Sequence, residues 1–155
     1  MCFNPEFAST SESRRSNMRA IRSRRNKTTE MRLRAHIVAA GISGWRMHDS
    51  SIPGQPDFYF RKKQLAVFVD GCFWHGCPQC GHIPSTNRHY WSAKLAKNRR
   101  RDILVSRALR RLGMRVLRVW ECQLRENPAK CVTKLVRLLE LRTGLRRRTG
   151  AAPKG

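Results

Sequence analysis

Acidic residues are scarce: 10 Asp and Glu stand against 33 Lys and Arg, giving a formal net charge of +23. That excess goes far beyond what solubility needs and points to a polyanionic partner, nucleic acid above all. Long apolar runs are missing as well. No stretch approaches the ~20 residues of a membrane-spanning helix, and the arginines do not gather on one face of an amphipathic helix, which argues against a membrane partner. The opening Met1-Cys2-Phe3-Asn4-Pro5-Glu6 lacks the basic start and apolar stretch of a signal peptide, so the expectation is a cytoplasmic protein with reduced thiols. In that setting six cysteines indicate a metal or catalysis rather than a disulfide framework. Composition alone also suits a ribosomal or nucleoid-packing protein.

What is present is enough for one packed domain of 155 residues. Residues 1–13 are rich in Ser and Thr without periodicity and read as a disordered N-terminus; 14–141 read as the folded domain and 142–155 as a basic disordered tail. Ser16 can cap a short helix carrying Met18, Arg19, Ile21 and Arg22. Thr28 or Thr29 can cap a second, with Leu33, Ile37 and Ala40 on one face and Gly41 at its end. Trp45 to His48 looks extended, and Phe58-Tyr59-Phe60 and Leu65 to Val69 flank a polar turn as a hairpin with a buried second strand. Ile103, Leu104, Ala108 and Leu112 mark a helix from near Arg88, ended by Gly113. Met114 to Trp120 reads as a buried strand. Asn127-Pro128 starts a last helix with Cys131, Leu135, Leu138 and Leu139 inward. This order predicts an α/β sandwich around a mixed four-stranded sheet, with catalytic residues at strand ends.

Cys72, Cys77 and Cys80 are spaced C-x4-C-x2-C, and Cys122 follows a predicted strand that can return it to them. Four thiolates satisfy a tetrahedral zinc ion, and a closed site of that kind is structural rather than catalytic. The alternative is that Cys122 is a small buried residue; His82, two residues past Cys80, is a competing ligand.

With so few acids, their placement is informative. Asp57 opens one hairpin strand and Asp70 closes the other, so the hairpin can bring two carboxylates together, as a hard cation such as magnesium requires. Each is also explained by a turn. His75 lies near Asp70 and can take a proton from attacking water, or can be a zinc ligand. Asp102, among Lys97, Arg99, Arg100 and Arg101, either orients His75 or pairs with its basic neighbours. Phe73-Trp74 and Tyr90-Trp91 put aromatic rings beside charge, a means of stacking on bases or wedging into a mispaired step, where unstacking costs least. The competing role for the tryptophans is core packing.

The string Val69-Asp70-Gly71-Cys72-Phe73-Trp74-His75-Gly76-Cys77-Pro78, preceded by Pro53-Gly54-Gln55-Pro56-Asp57-Phe58, resembles the very short patch repair (Vsr) endonucleases. The similarity continues through Asn17 to Ile21, Thr29-Glu30, Tyr90-Trp91, Lys97-Asn98 to Asp102, and Arg115 to Cys122, covering roughly residues 14–140. It implies a restriction-endonuclease-like core and magnesium-dependent cleavage of one strand 5′ to the thymine of a T·G mismatch left by 5-methylcytosine deamination. Double-stranded DNA is then the partner of a nucleoid-associated bacterial monomer linked in function to a cytosine-5 DNA methyltransferase. The resemblance makes Asp57 a metal-binding aspartate, His75 the catalytic histidine, Asp102 its paired acid and Glu30 an active-site acid from the N-terminal helix. It makes Phe73, Trp74 and Trp91 wedging aromatics, with Met18 pressing from the opposite groove.

On this footing Asp57, Asp70 and the Val69 carbonyl are expected to hold magnesium, and Cys72, Cys77, Cys80 and Cys122 the zinc. Arg19, Arg22, Lys94, Lys97, Asn98 and Arg100 are expected to contact DNA. Related nucleases place a lysine two residues after the second acid, where this chain has Cys72, so His75 must take over that lysine's work. The rivals are a zinc-stabilised DNA-binding module without catalysis and a double-strand restriction enzyme of the same fold.

Overall fold

The structure, a computed structural model, describes residues 29–141. Helix α1 occupies residues 29–39, and its Leu33 and Ile37, four apart, are fully buried. Ala40, expected on that face, is exposed in the turn that ends the helix. The hairpin forms where alternating β-formers predict it. Strand β1, Phe58–Phe60, pairs antiparallel with β2, Leu65–Asp70, in the register Phe58 with Val67. Gln64, at φ 47°, closes the turn between them. The short helix α2, Cys72–His75, and the long helix α3, Arg88–Arg111, carry the chain over the sheet to β3, Arg115–Trp120, which pairs parallel with β2. Helices α4, Glu121–Glu126, and α5, Pro128–Glu140, complete the described chain. Asn127 caps α5 by accepting a hydrogen bond from the Lys130 amide, with Pro128 in the first turn as its sequence predicts.

Among the described residues the sheet is mixed and has three strands, in the order β1-β2-β3, not the expected four. The Trp45–His48 segment contributes a single bridge, Arg46 to Tyr59. His48 then turns into the left-handed region at φ 51°, which stops the pairing. Of the segment from Met114 to Trp120, Arg115–Trp120 forms the strand, mostly half-buried rather than buried, with only Val119 fully enclosed, because it lies at the sheet's edge.

Strand alternation builds two cores. Leu65, Val67 and Val69 pack with Phe58, Phe60, Leu33 and Ile37 of α1, Leu124 of α4 and Cys131 and Leu135 of α5. Ala66 and Phe68 face Leu109 and Val105 of α3. The inward face of α3 is therefore Leu95, Ser106 and Leu109; Ile103, Leu104 and Leu112, whose spacing marked the helix, are more than half exposed. Helical spacing identified the helix but not its inner face, which carries the polar Ser106 and the half-buried acid Asp102. Met18, Arg19, Arg22 and the two tails lie outside the described residues.

Candidate active site

The carboxyl ends of β2 and β3 lie side by side, with Asp70 opposite Trp120. Chain loops after such strand ends are where α/β sheets present side chains to ligands. Asp57 reaches this edge from the start of β1, and its Oδ2 accepts a 2.6 Å hydrogen bond from the Val69 amide. Burial, joined by the neighbouring carboxylates of Glu30 and Asp70 and opposed by the Val69 hydrogen bond, raises the Asp57 pKa from the ordinary carboxylate range to about 7. Glu30, buried on α1, lies 3.2 Å through Oε2 from His48 Nε2, and His48 Nδ1 is 4.0 Å from Asp57 Oδ1. Glu30, His48 and Asp57 thus form one group of oxygen and nitrogen donors, all within 4.8 Å of one another.

Beyond Asp70 the chain enters α2, whose last residue is His75. Gly76 terminates this single turn at φ 63°, where a Cβ would also strike the Arg99 side chain at 2.6 Å. His75 Nδ1 is 2.6 Å from Asp102 Oδ2 and 3.7 Å from Asp70 Oδ1. Asp102 comes from the inward side of α3. Burial would raise its pKa, but the hydrogen bond and charge of His75, with Arg118 and Arg101, hold it below the usual carboxylate value. Both oxygens of Asp70 accept from Arg118, at 2.5 and 2.8 Å. The same guanidinium lies 3.2 Å from Asp102 Oδ1 and 4.9 Å from the centroid of the Phe68 ring. Although burial disfavours its charge, the two acids hold Arg118 charged above its ordinary range. A cavity of about 490 Å³ opens over this network, lined by His75, Asp102 and Arg118 together with Arg99, Arg107 and Arg110.

The expected residues therefore divide into two adjoining groups. Asp57, Glu30 and the Val69 backbone are on one side; His75, Asp102 and Asp70 are on the other. Asp70 is bound bidentately to Arg118 and is outside the Glu30–His48–Asp57 donor group. Reasoning from sequence did not single out His48 or Arg118. A charged residue among the valines and leucine of Arg115-Val116-Leu117-Arg118-Val119 was a usable signal for Arg118. For His48 there was only its position nine residues before Asp57.

The four cysteines converge. Cys72, Cys77, Cys80 and Cys122 place their sulfurs within 4.8 Å of one another, and Cys77 Sγ to Cys122 Sγ measures 3.7 Å. Zinc–sulfur bonds of ~2.3 Å in a tetrahedron put neighbouring sulfurs ~3.8 Å apart, so the donor set fits that ion. At Gly81 a Cβ would meet the Cys77 carbonyl oxygen at 2.4 Å, so the tight Cys77–Cys80 turn needs glycine there. Burial pushes Cys72 up, and Cys122 to about 11. For Cys77, backbone hydrogen bonds from Cys80 and Gln79 outweigh burial and lower it. The competing His82 is outside this group, its ring 5.8 Å from that of Phe73.

The aromatic residues also cluster. Phe73 contacts Trp74 and Trp91 edge to face, with centroids 5.0 and 5.1 Å apart, and Tyr90 packs on Trp91. Trp74 is buried, whereas Phe73 and Trp91 are half-buried and Tyr90 is exposed. On the same helix Lys97 and Arg100 are exposed and Lys94 half-buried. Asn98 instead donates its amide to the Trp74 carbonyl at 2.9 Å, fastening α2 to α3.

Residues 8–81 match the family model described as DNA mismatch endonuclease Vsr. The chain is 40% identical over 114 residues to the DNA mismatch endonuclease Vsr of Escherichia coli K12, covering 72% of this chain and 71% of that protein. It is 37% identical over 138 residues to the Type II nicking enzyme V.NmeDIP of Neisseria meningitidis serogroup C, covering 88% and 92%. With the Type II nicking enzyme V.NaeI of Lentzea aerocolonigenes it shares 45% identity over 86 residues, 56% of this chain and about half, 52%, of that relative. No helix among the described residues is long and apolar enough to cross a membrane. The chain belongs to the Vsr family of DNA mismatch endonucleases.

Proposed function

We propose that this protein nicks one strand of double-stranded DNA 5′ to the thymine of a T·G mismatch, in a magnesium-dependent reaction that begins repair after 5-methylcytosine deamination. The observation that carries the reading is the His75–Asp102 contact of 2.6 Å, next to the half-buried acid Asp57 at the same sheet edge. The three-stranded sheet with helices on both faces is compatible with a restriction-endonuclease-like core.

Asp57 and the Val69 carbonyl are the groups that would hold magnesium; burial first, and the nearby carboxylates after it, raise the Asp57 pKa to about 7, and a bound cation would favour its ionised form. Bound there, magnesium supplies charge stabilisation to the scissile phosphate and the leaving oxygen. Asp102 fixes the tautomer of His75 by engaging Nδ1, leaving Nε2 to take a proton from water. Asp70, with both oxygens on Arg118, contributes charge to this arrangement rather than a ligand atom. Phe73 and Trp91 would wedge beside the mispair, with the buried Trp74 backing them, and Lys94, Lys97 and Arg100 would contact phosphates. The four thiolates hold structural zinc, and the protein acts as a monomer in the bacterial cytoplasm, coupled to a cytosine-5 DNA methyltransferase whose site sets the mismatch context.

The test is single-turnover nicking of a T·G duplex by the Asp57→Asn and Asp102→Asn variants. Each is expected to lose at least about a hundredfold in rate while still binding the duplex. Unchanged rates would remove the assigned roles.

A further inference from the structure

We propose that His48 is a ligand of the catalytic cation, so that Glu30, His48 and Asp57 form a mixed donor set that takes a first-row transition ion such as Mn2+ in preference to Mg2+. The proposal rests on the reading of Asp57 as a cation ligand and adds the histidine and the metal preference to it.

The geometry of the group carries the argument. In an octahedral sphere with bonds of ~2.1 Å, neighbouring donors lie ~3.0 Å apart and opposite donors ~4.2 Å apart. Glu30 Oε2 and His48 Nε2, at 3.2 Å, have the spacing of neighbouring donors, and one ligand atom from each of Glu30, His48 and Asp57 lies within 4.8 Å of the others. Three different parts of the fold supply them: α1, the loop after the Arg46 bridge, and the start of β1. The two carboxylates are largely enclosed, with side-chain exposures of 10% and 16%, while His48 is 53% exposed, so the imidazole covers the site on its solvent side.

Charge supports the same conclusion. In a chain with 33 Lys and Arg, no lysine or arginine among the described residues pairs with Glu30 or Asp57, whereas Asp70 and Asp102 both share Arg118. The Asp70–Asp102 pair thus has a built-in arginine beside His75, whereas Glu30 and Asp57 have His48 and no lysine or arginine partner among the described residues. Pure oxygen sets suit magnesium, which keeps its waters and avoids nitrogen, whereas an imidazole shifts a site toward manganese, iron and zinc.

The experiment is Mn2+ titration of the full-length, zinc-loaded protein followed by electron paramagnetic resonance, with pulsed detection of nitrogen coupled to the bound ion. The expected result is one Mn2+ showing directly bound imidazole nitrogen, held more tightly than Mg2+ in competition. His48→Gln should abolish the nitrogen signal and weaken Mn2+ at least about tenfold, with Mg2+ binding little changed. Because His48 is exposed, its replacement should leave the fold intact, which circular dichroism checks. If His48→Gln binds Mn2+ as before, the histidine ligand is refuted. Should Asp57→Asn nonetheless abolish Mn2+ binding in that case, the cation reading of Asp57 survives. If Asp57→Asn also retains Mn2+, that reading falls as well.

Discussion

His75 Nδ1 and Asp102 Oδ2 are 2.6 Å apart, joining a one-turn helix after β2 to the inner face of α3. If the pair works as a unit, removing either member should cost much of what removing both costs. His75→Ala is expected to slow nicking roughly 10²- to 10⁴-fold, and the His75→Ala/Asp102→Asn double variant should be nearly as active as His75→Ala. Strictly multiplicative losses, measured under single turnover, would show that the two residues act separately.

Asp57 links stability to pH. Its folded-state pKa is raised to about 7 from an ordinary value near 4, so the native state holds this proton where the unfolded chain has lost it. The stabilising contribution is therefore complete below about pH 4 and disappears as pH rises to about 7, leaving a penalty of a few kcal/mol above that. In magnesium-free buffer at pH 8, Asp57→Asn should melt higher than the unaltered protein, and the gain should shrink at pH 5. Thermal denaturation at the two pH values checks this, and an equal effect at both would mean that Asp57 ionises normally.

Arg118 is caught between two acids, Asp70 and Asp102. Arg118→Met would leave a buried carboxylate without its partner, at a cost of about 3–5 kcal/mol. A second change, Asp70→Leu, should recover part of that loss, since the uncompensated charge goes with it. Urea unfolding of the single and double variants reads both values; a double variant less stable than Arg118→Met alone would contradict the pairing.

The cysteine group makes a prediction about metal content. The purified protein should carry one zinc per chain by atomic absorption, and Cys77→Ser or Cys122→Ser should lose it together with several kcal/mol of stability. A zinc-free protein with an unchanged melting point would assign these buried thiols to packing alone.

Much of this could be read from residue order. The hairpin followed from two β-rich runs around Arg61-Lys62-Lys63-Gln64, the last helix from Asn127-Pro128, and the thiolate group from spacing plus a strand that returns Cys122. Two kinds of information were not local. The inward face of α3 holds Asp102 and Ser106, whose neighbours are Arg118 and Asp70 on the sheet, so the apolar Ile103 and Leu104 that mark the helix do not mark its inner face. His48 matters only because a left-handed turn brings it beside Glu30 and Asp57. Neither partner is within helical or strand spacing of it, and nothing in Trp45-Arg46-Met47-His48 distinguishes a ligand from a strand residue.

The most direct measurement of the central claim is strand-resolved nicking of a duplex with a single T·G mismatch, compared with the same duplex carrying T·A, with and without magnesium. The account predicts one nick, 5′ to the mismatched thymine, only with the cation and only in the mismatch. Cutting of both strands of the paired duplex would contradict it in favour of a restriction enzyme, and tight binding without any cutting would contradict it in favour of a non-catalytic module.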